Sequence, residues 1–206
     1  MESSRNMSKS KNGNGHAGSG VFGSPDRVLV KRGIAEFRSN RPVIFSSQAS
    51  KFLIALPVDG LNAARLAAFD HLCHPAKPKL VVTARRARAL GIESAGPVAL
   101  TLRKGTDSEA IQSLVADADA EEPVDASDPA GDLSAAAIEL AKIAQRLPAL
   151  LVAEIDAPSS ALIEPPLVIV SPDAVMKFRV IFASSAWTFR GMAKTGSCAS
   201  RLSRVS

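Results

Sequence analysis

Pro42-Val43-Ile44-Phe45-Ser46-Ser47-Gln48-Ala49-Ser50-Lys51-Phe52-Leu53-Ile54-Ala55-Leu56 holds two short apolar runs, Pro42–Phe45 and Phe52–Leu56, on either side of a polar connection. Runs of four or five apolar residues without polar alternation predict a hairpin with both strands largely buried. Aromatic residues make up only 4% of the chain and Tyr is absent, so Ala, Leu, Val and Ile must fill the core. That composition suits helices packed on strands.

Upstream, Ser24-Pro25-Asp26 supplies an N-cap hydroxyl, a proline at the first helical position and an acid in the first turn. Val30, Ile34 and Phe37 then recur at helical spacing, predicting a helix from Pro25 to Arg38 that Gly33 weakens. Downstream the period changes. Gly60 to Cys73 reads as a helix with Leu61, Ala64, Ala68 and Leu72 on one face, and Lys79 to Val82 reads as a strand. Thr83 caps a short helix to Leu90, stopped by Gly91. Pro97 to Leu102 is a further strand, and Thr106-Asp107-Ser108-Glu109 has the spacing of a capping box opening a helix to Ala116.

Asp117–Asp132 contains seven acidic residues, no basic one, two prolines and a glycine, and reads as a loop or mobile linker. Leu133–Leu147 is a helix with Ala137, Leu140, Ala141, Ala144 and Leu147 on one face, ended by Pro148. Strands follow at Leu150–Ile155 and Leu167–Val170, and Ser171-Pro172-Asp173 opens a last helix towards Arg179. The expected organisation is a disordered tail over residues 1–23, one α/β domain over 24–179 with a mixed sheet flanked by helices, and an irregular tail over 180–206.

The net charge of +5 sits in those ends. Met1–Ser24 carries a surplus of two and Val180–Ser206 a surplus of four, which leaves the body at −1. A structured basic groove for nucleic acid is therefore disfavoured. No apolar run is long enough to span a bilayer and the start lacks a secretory apolar segment, so a cytoplasmic protein without a membrane partner is expected. Two distant cysteines, Cys73 and Cys198, do not form a disulfide framework.

Few residues carry chemistry. His71-Leu72-Cys73-His74 lacks a second ligand pair and reads as a helix C-terminal end before it reads as a metal site. Lys77, Lys79, Arg85, Arg86 and Arg88 form a basic patch that the acidic stretch can neutralise. Glu139 and Glu154 read as isolated acids, one on a helix surface and one at a strand end. Phosphate-cradling glycine motifs and a nucleophile elbow are absent.

Asp26-Arg27-Val28, Ile34-Ala35-Glu36-Phe37-Arg38-Ser39-Asn40-Arg41-Pro42-Val43-Ile44, Pro57–Leu72, Leu80–Ile92, Leu133–Ile155 and Leu167–Phe178 together resemble the framework of the dihydroxybutanone phosphate synthases of riboflavin biosynthesis. That family carries an acidic loop after its first strand that binds magnesium, and a His before the later helix. Ser46-Ser47-Gln48-Ala49-Ser50-Lys51 stands at the first place, and Asp132-Leu133-Ser134-Ala135, without a His, at the second. Leu140-Ala141-Lys142-Ile143-Ala144-Gln145-Arg146-Leu147-Pro148-Ala149 resembles the degenerate synthase-like N-terminal domains of GTP cyclohydrolase II proteins. The cyclohydrolase's own three-cysteine zinc domain has no counterpart.

The resemblance implies a non-catalytic or vestigial module with no catalytic, cofactor-binding or metal-binding residue and no cofactor. Its partner would be a second copy or a GTP cyclohydrolase II domain, and its irregular ending fits a truncated or frame-altered gene. Two alternatives stand beside it: a small phosphorylated-sugar-binding enzyme acting through the Lys77–Arg88 patch, and nucleic-acid binding through the basic tails.

Overall fold

The computed structural model describes residues 23–47, 49–117, 126–156 and 165–180. Helix α1 (Pro25–Arg38) leads into the hairpin β1 (Val43–Ser46) and β2 (Phe52–Pro57). Then come α2 (Ala63–Cys73), β3 (Lys79–Val82), α3 (Ala84–Ala89), β4 (Val98–Thr101), α4 (Ser108–Ala116) and β5 (Ala126–Pro129). The chain continues through α5 (Asp132–Ile143), β6 (Ala149–Ile155) and β7 (Ile169–Val170) into α6, residues 172–180. The seven strands form one mixed sheet in the order β5-β4-β3-β6-β2-β1-β7, parallel between β1 and β7 and antiparallel elsewhere.

Side-chain alternation along the strands divides the core in two. Phe45, Leu53, Val81, Leu150 and Val152 face one side, where α1, α5 and α6 bury Phe37, Leu140 and Val175. Ile44, Ile54, Leu80, Leu100 and Leu151 face the other, under α2, α3 and α4, which contribute Phe69, Ala87 and Leu114. The continuous apolar runs of β1 and β2 follow from this: a strand covered on both faces needs no polar alternation.

Gly33 is buried where α1 meets α5 and β7. A β-carbon there would lie 3.1 Å from Val170 Cγ2 and 3.3 Å from Leu140 Cδ2, so its cost in helix propensity is exchanged for close packing. The predicted cap at Gly91 is also observed, at φ +77°.

Five expectations change. The acidic stretch supplies an edge strand, since β5 pairs Val98–Thr101 with Pro129–Ala126, while residues 118–125 fall outside the description. Its four residues are exposed, which is why hydrophobic patterning gave no signal. Asp107, and not Thr106, caps α4 by accepting from the Ala110 amide at 2.8 Å; the Thr106 hydroxyl instead donates to the Arg103 carbonyl.

Helix α2 begins at Ala63, capped by Asn62, and buries Phe69 and Cys73, with Leu66 and Leu72 half-buried, while Ala64 and Ala68 are exposed. The larger apolar side chains took the inner face because they remove more surface from water. Helix α5 closes at Ile143, ahead of Pro148, because Gln145 turns into the left-handed region at φ 58° and the Arg146 amide returns to the Ala141 carbonyl at 2.9 Å. Leu147 consequently leaves the apolar stripe and is 46% exposed, whereas Val30, Ile34, Phe37 and Leu140 are buried as expected. The tail expectations for residues 1–22 and 181–206 lie outside the described residues.

Candidate functional site

The register of β6 directs one acid away from the core. Leu150 and Val152 point to the α1/α5/α6 side, so Glu154, two residues on, continues that face beyond the packed apolar layer. It lines a cleft of about 640 Å³ at the end of the sheet, together with Ser46, Ser47 and Lys51 of the β1–β2 connection. The starts of three helices complete the wall: Asp26 of α1, Asp132 and Ser134 of α5, and Asp173 with Lys177 of α6.

Each helix start is positioned by its own sequence. Pro25 and Asp26 open α1, where the expected Ser24 hydroxyl cap is not made, since Ser24 forms no side-chain cap hydrogen bond; the Ser171 hydroxyl does accept from the Ala174 amide, at 3.1 Å, to open α6. Gly131 is the N-cap of α5 and offers no capping side chain, while Ser134 in the first turn is only 7% exposed. Three of the four cleft carboxylates, Asp26, Asp132 and Asp173, thus stand at positive helix ends, where acids are favoured on local grounds. Glu154 is the one cleft acid without that explanation.

The β1–β2 connection is tight. The Ser47 amide donates to the Lys51 carbonyl at 3.0 Å, the Ser50 amide to the Ser47 carbonyl at 3.2 Å, and Ser50 sits at φ 54°. Ser47 Oγ is buried without a hydrogen-bond partner among the described residues. The cleft therefore presents hydroxyls, one strand-end and three helix-start carboxylates, and two ammonium groups, a set suited to small polar ligands.

The other candidates lie elsewhere. Cys73, the last residue of α2, is buried in the core beneath that helix face, with its thiol pushed up to about 12 by burial first and by the neighbouring Asp70 second; His71 and His74 are exposed. Among the described residues, no three His, Cys, Asp or Glu side chains converge on a common point. The basic patch is divided: Lys79 pairs with Asp128 of β5 at 3.0 Å, and Arg86 donates to the Leu114 carbonyl at 2.7 Å and to those of Ser113 and Asp117, closing the end of α4. Arg88 Nε reaches the Ala84 carbonyl within α3, and Lys77 and Arg85 are exposed. Glu139 binds Lys142 at 2.7 Å and Arg179 at 3.3 Å, tying α5 to α6 away from the cleft.

Sequence reasoning separated Glu154 from the acids it joins, because the cleft assembles residues from distant parts of the chain, from Asp26 to Lys177. The only trace in the sequence was the recurrence of Ser-Pro-Asp at Ser24 and Ser171, which marks two helix starts but not that both lie at one end of the sheet.

No protein-family model matches the chain. No curated protein matches it either. Solved structures match it by fold. A cation-free 3,4-dihydroxy-2-butanone 4-phosphate synthase is 13% identical at a TM-score of 0.53, over 72% of this chain and 95% of that one. A synthase in complex with two magnesium ions is 15% identical at 0.51, again over 72% and 95%. A two-domain synthase from A. baumannii is 14% identical at 0.50 over 73% of this chain, which spans 57% of that protein's length. The mixed sheet flanked by helices is the fold of these synthases.

Proposed function

We propose that this chain is a non-catalytic module on a dihydroxybutanone phosphate synthase scaffold, related to riboflavin biosynthesis and working beside a GTP cyclohydrolase II domain or a second copy of itself. One observation carries the reading: a cleft lies at the end of β6, but the β1–β2 connection lends it Ser46, Ser47, Ala49 and Lys51 and no carboxylate. A hard divalent cation needs several oxygen ligands, carboxylates foremost. The residues present do not fit magnesium: no three acidic or imidazole ligands converge among the described residues, Leu133 and Ser134 stand where the resemblance expects a His, and Lys51 adds a positive charge to the rim. Asp26, Asp132 and Asp173 are each accounted for by the helix they begin.

The test is turnover by the full chain. Incubation with ribulose 5-phosphate and excess magnesium is expected to yield no dihydroxybutanone phosphate, and incubation with GTP and excess zinc no ring-opened product. Metal-dependent turnover that survives repurification and disappears in Glu154→Gln would overturn the proposal.

A further inference from the structure

The first turn of α5 faces the cleft with its donors unused. Gly131 has no side chain to cap the helix, and the Asp132, Leu133 and Ser134 amides donate to nothing among the described residues. The Ser134 hydroxyl in the same turn is unpartnered as well. Ser134 is only 7% exposed and makes no side-chain hydrogen bond among the described residues, while its Oγ, unlike Ser47 Oγ, keeps open surface. What remains open of Ser134 lines the cleft. A hydroxyl so deeply covered is satisfied in most proteins, and here a ligand oxygen would satisfy it together with the helix amides.

Charge decides which ligand that oxygen belongs to. Asp26, Asp132, Asp173 and Glu154 bring four carboxylates to the cleft, and Lys51 and Lys177 two ammonium groups. None of the six makes an ion pair with another described residue. The acids outnumber the ammonium groups by two, and the positive ends of three helices, about half a charge each, offset most of that excess. A doubly charged phosphate ester would upset this balance, whereas a zwitterion preserves it. Glu154 is the acceptor such a ligand needs: it is exposed, stands opposite Leu53 in the β2–β6 register, and stays unpaired although Lys51 shares its face of the sheet.

We infer that the cleft binds a neutral α-amino acid, its carboxylate on the Ser134 hydroxyl and the amides that begin α5, its ammonium on Glu154. The volume of about 640 Å³ leaves room for a side chain beyond the two charged groups. The inference rests on the non-catalytic reading of the same cleft, since a working synthase would take a sugar phosphate there. L-Leucine is the probe, beside isocaproate, which lacks its ammonium, and isoamylamine, which lacks its carboxylate, read by amide chemical-shift titration of the full chain. L-Leucine is expected to shift the Leu133, Ser134 and Glu154 amides saturably, and to bind about tenfold tighter than isoamylamine and about fivefold tighter than isocaproate.

Ser134→Ala should weaken L-leucine and isocaproate alike and leave isoamylamine unchanged; it removes an unsatisfied hydroxyl, so the variant should melt as the parent does. Glu154→Gln should weaken L-leucine and isoamylamine and leave isocaproate unchanged. Absence of saturable shifts with L-leucine, equal affinity for either half of it, or tighter binding of ribulose 5-phosphate would each overturn this site alone. Turnover of ribulose 5-phosphate would overturn the non-catalytic reading and this site with it.

Discussion

Phe37→Ala and Leu147→Ala separate what packing does from what periodicity suggests. Phe37 is fully buried on α1, with its ring 6.4 Å from that of Phe45 at an interplanar angle of 54°, and its removal leaves a cavity between α1, α5 and the sheet. Truncation of a buried aromatic costs about 3–5 kcal/mol, the lost pairing with Phe45 included. For a domain of this size each kcal/mol lowers the melting temperature by roughly 2–4 °C, so a drop of about 6–20 °C follows. Leu147 shares the i+7 spacing from Leu140 that a continued helix would bury, yet it is 46% exposed, so its truncation should cost under about 0.5 kcal/mol. Urea unfolding followed by far-ultraviolet circular dichroism measures both. A Leu147→Ala loss of more than about 1.5 kcal/mol, or a Phe37→Ala loss below that figure, would refute the placement of the α5 terminus and of the α1 face.

Gly33→Ala gains about 1 kcal/mol of helix propensity but forces a methyl to within 3.1 Å of Val170 Cγ2, and a net loss of about 1 kcal/mol in the same unfolding assay is expected. The Cys73 thiol, raised by burial from 9.0 to about 12, keeps its proton in the folded state while the unfolded chain releases it. Its stabilisation is complete below pH 9.0 and is lost as pH rises towards 12, so Cys73→Ala should flatten the alkaline decline of stability. Peptide mapping should likewise find Cys73 unmodified by iodoacetamide until denaturant is added. Asp128→Asn removes an exposed pair with Lys79 and should change stability by less than about 1 kcal/mol. Hydrogen exchange at Ala126 and Asp128, the alternate amides that face β4, slower than in free peptide would accompany β5 pairing, and peptide-like exchange at both would count against the edge strand.

Much of the fold was legible in local chemistry. The Ser24-Pro25-Asp26 start, the uninterrupted apolar runs of β1 and β2, Thr83 as cap and Gly91 as stop each depend on neighbours within a few residues, and each was placed by spacing alone. Where the governing interaction was distant, spacing failed. β5 exists because the backbone of four exposed residues pairs with β4, and hydrogen bonding of that kind leaves no hydrophobic trace. Ala64 and Ala68 share the helical stripe expected of α2, but the sheet selects Phe69 and Cys73, since burial favours the larger apolar area and only the packed partner fixes which face is inside.

The candidate site divides the same way. The sequence by itself determined that no acidic loop follows β1, because identity at Ser46–Lys51 is a property of the chain. Only the tertiary structure decided that Glu154 meets Asp26, Asp132, Asp173, Lys51 and Lys177 around one cleft. Their convergence follows from strand order and from three helices beginning at the same end of the sheet, relations between elements that the linear order of residues does not contain.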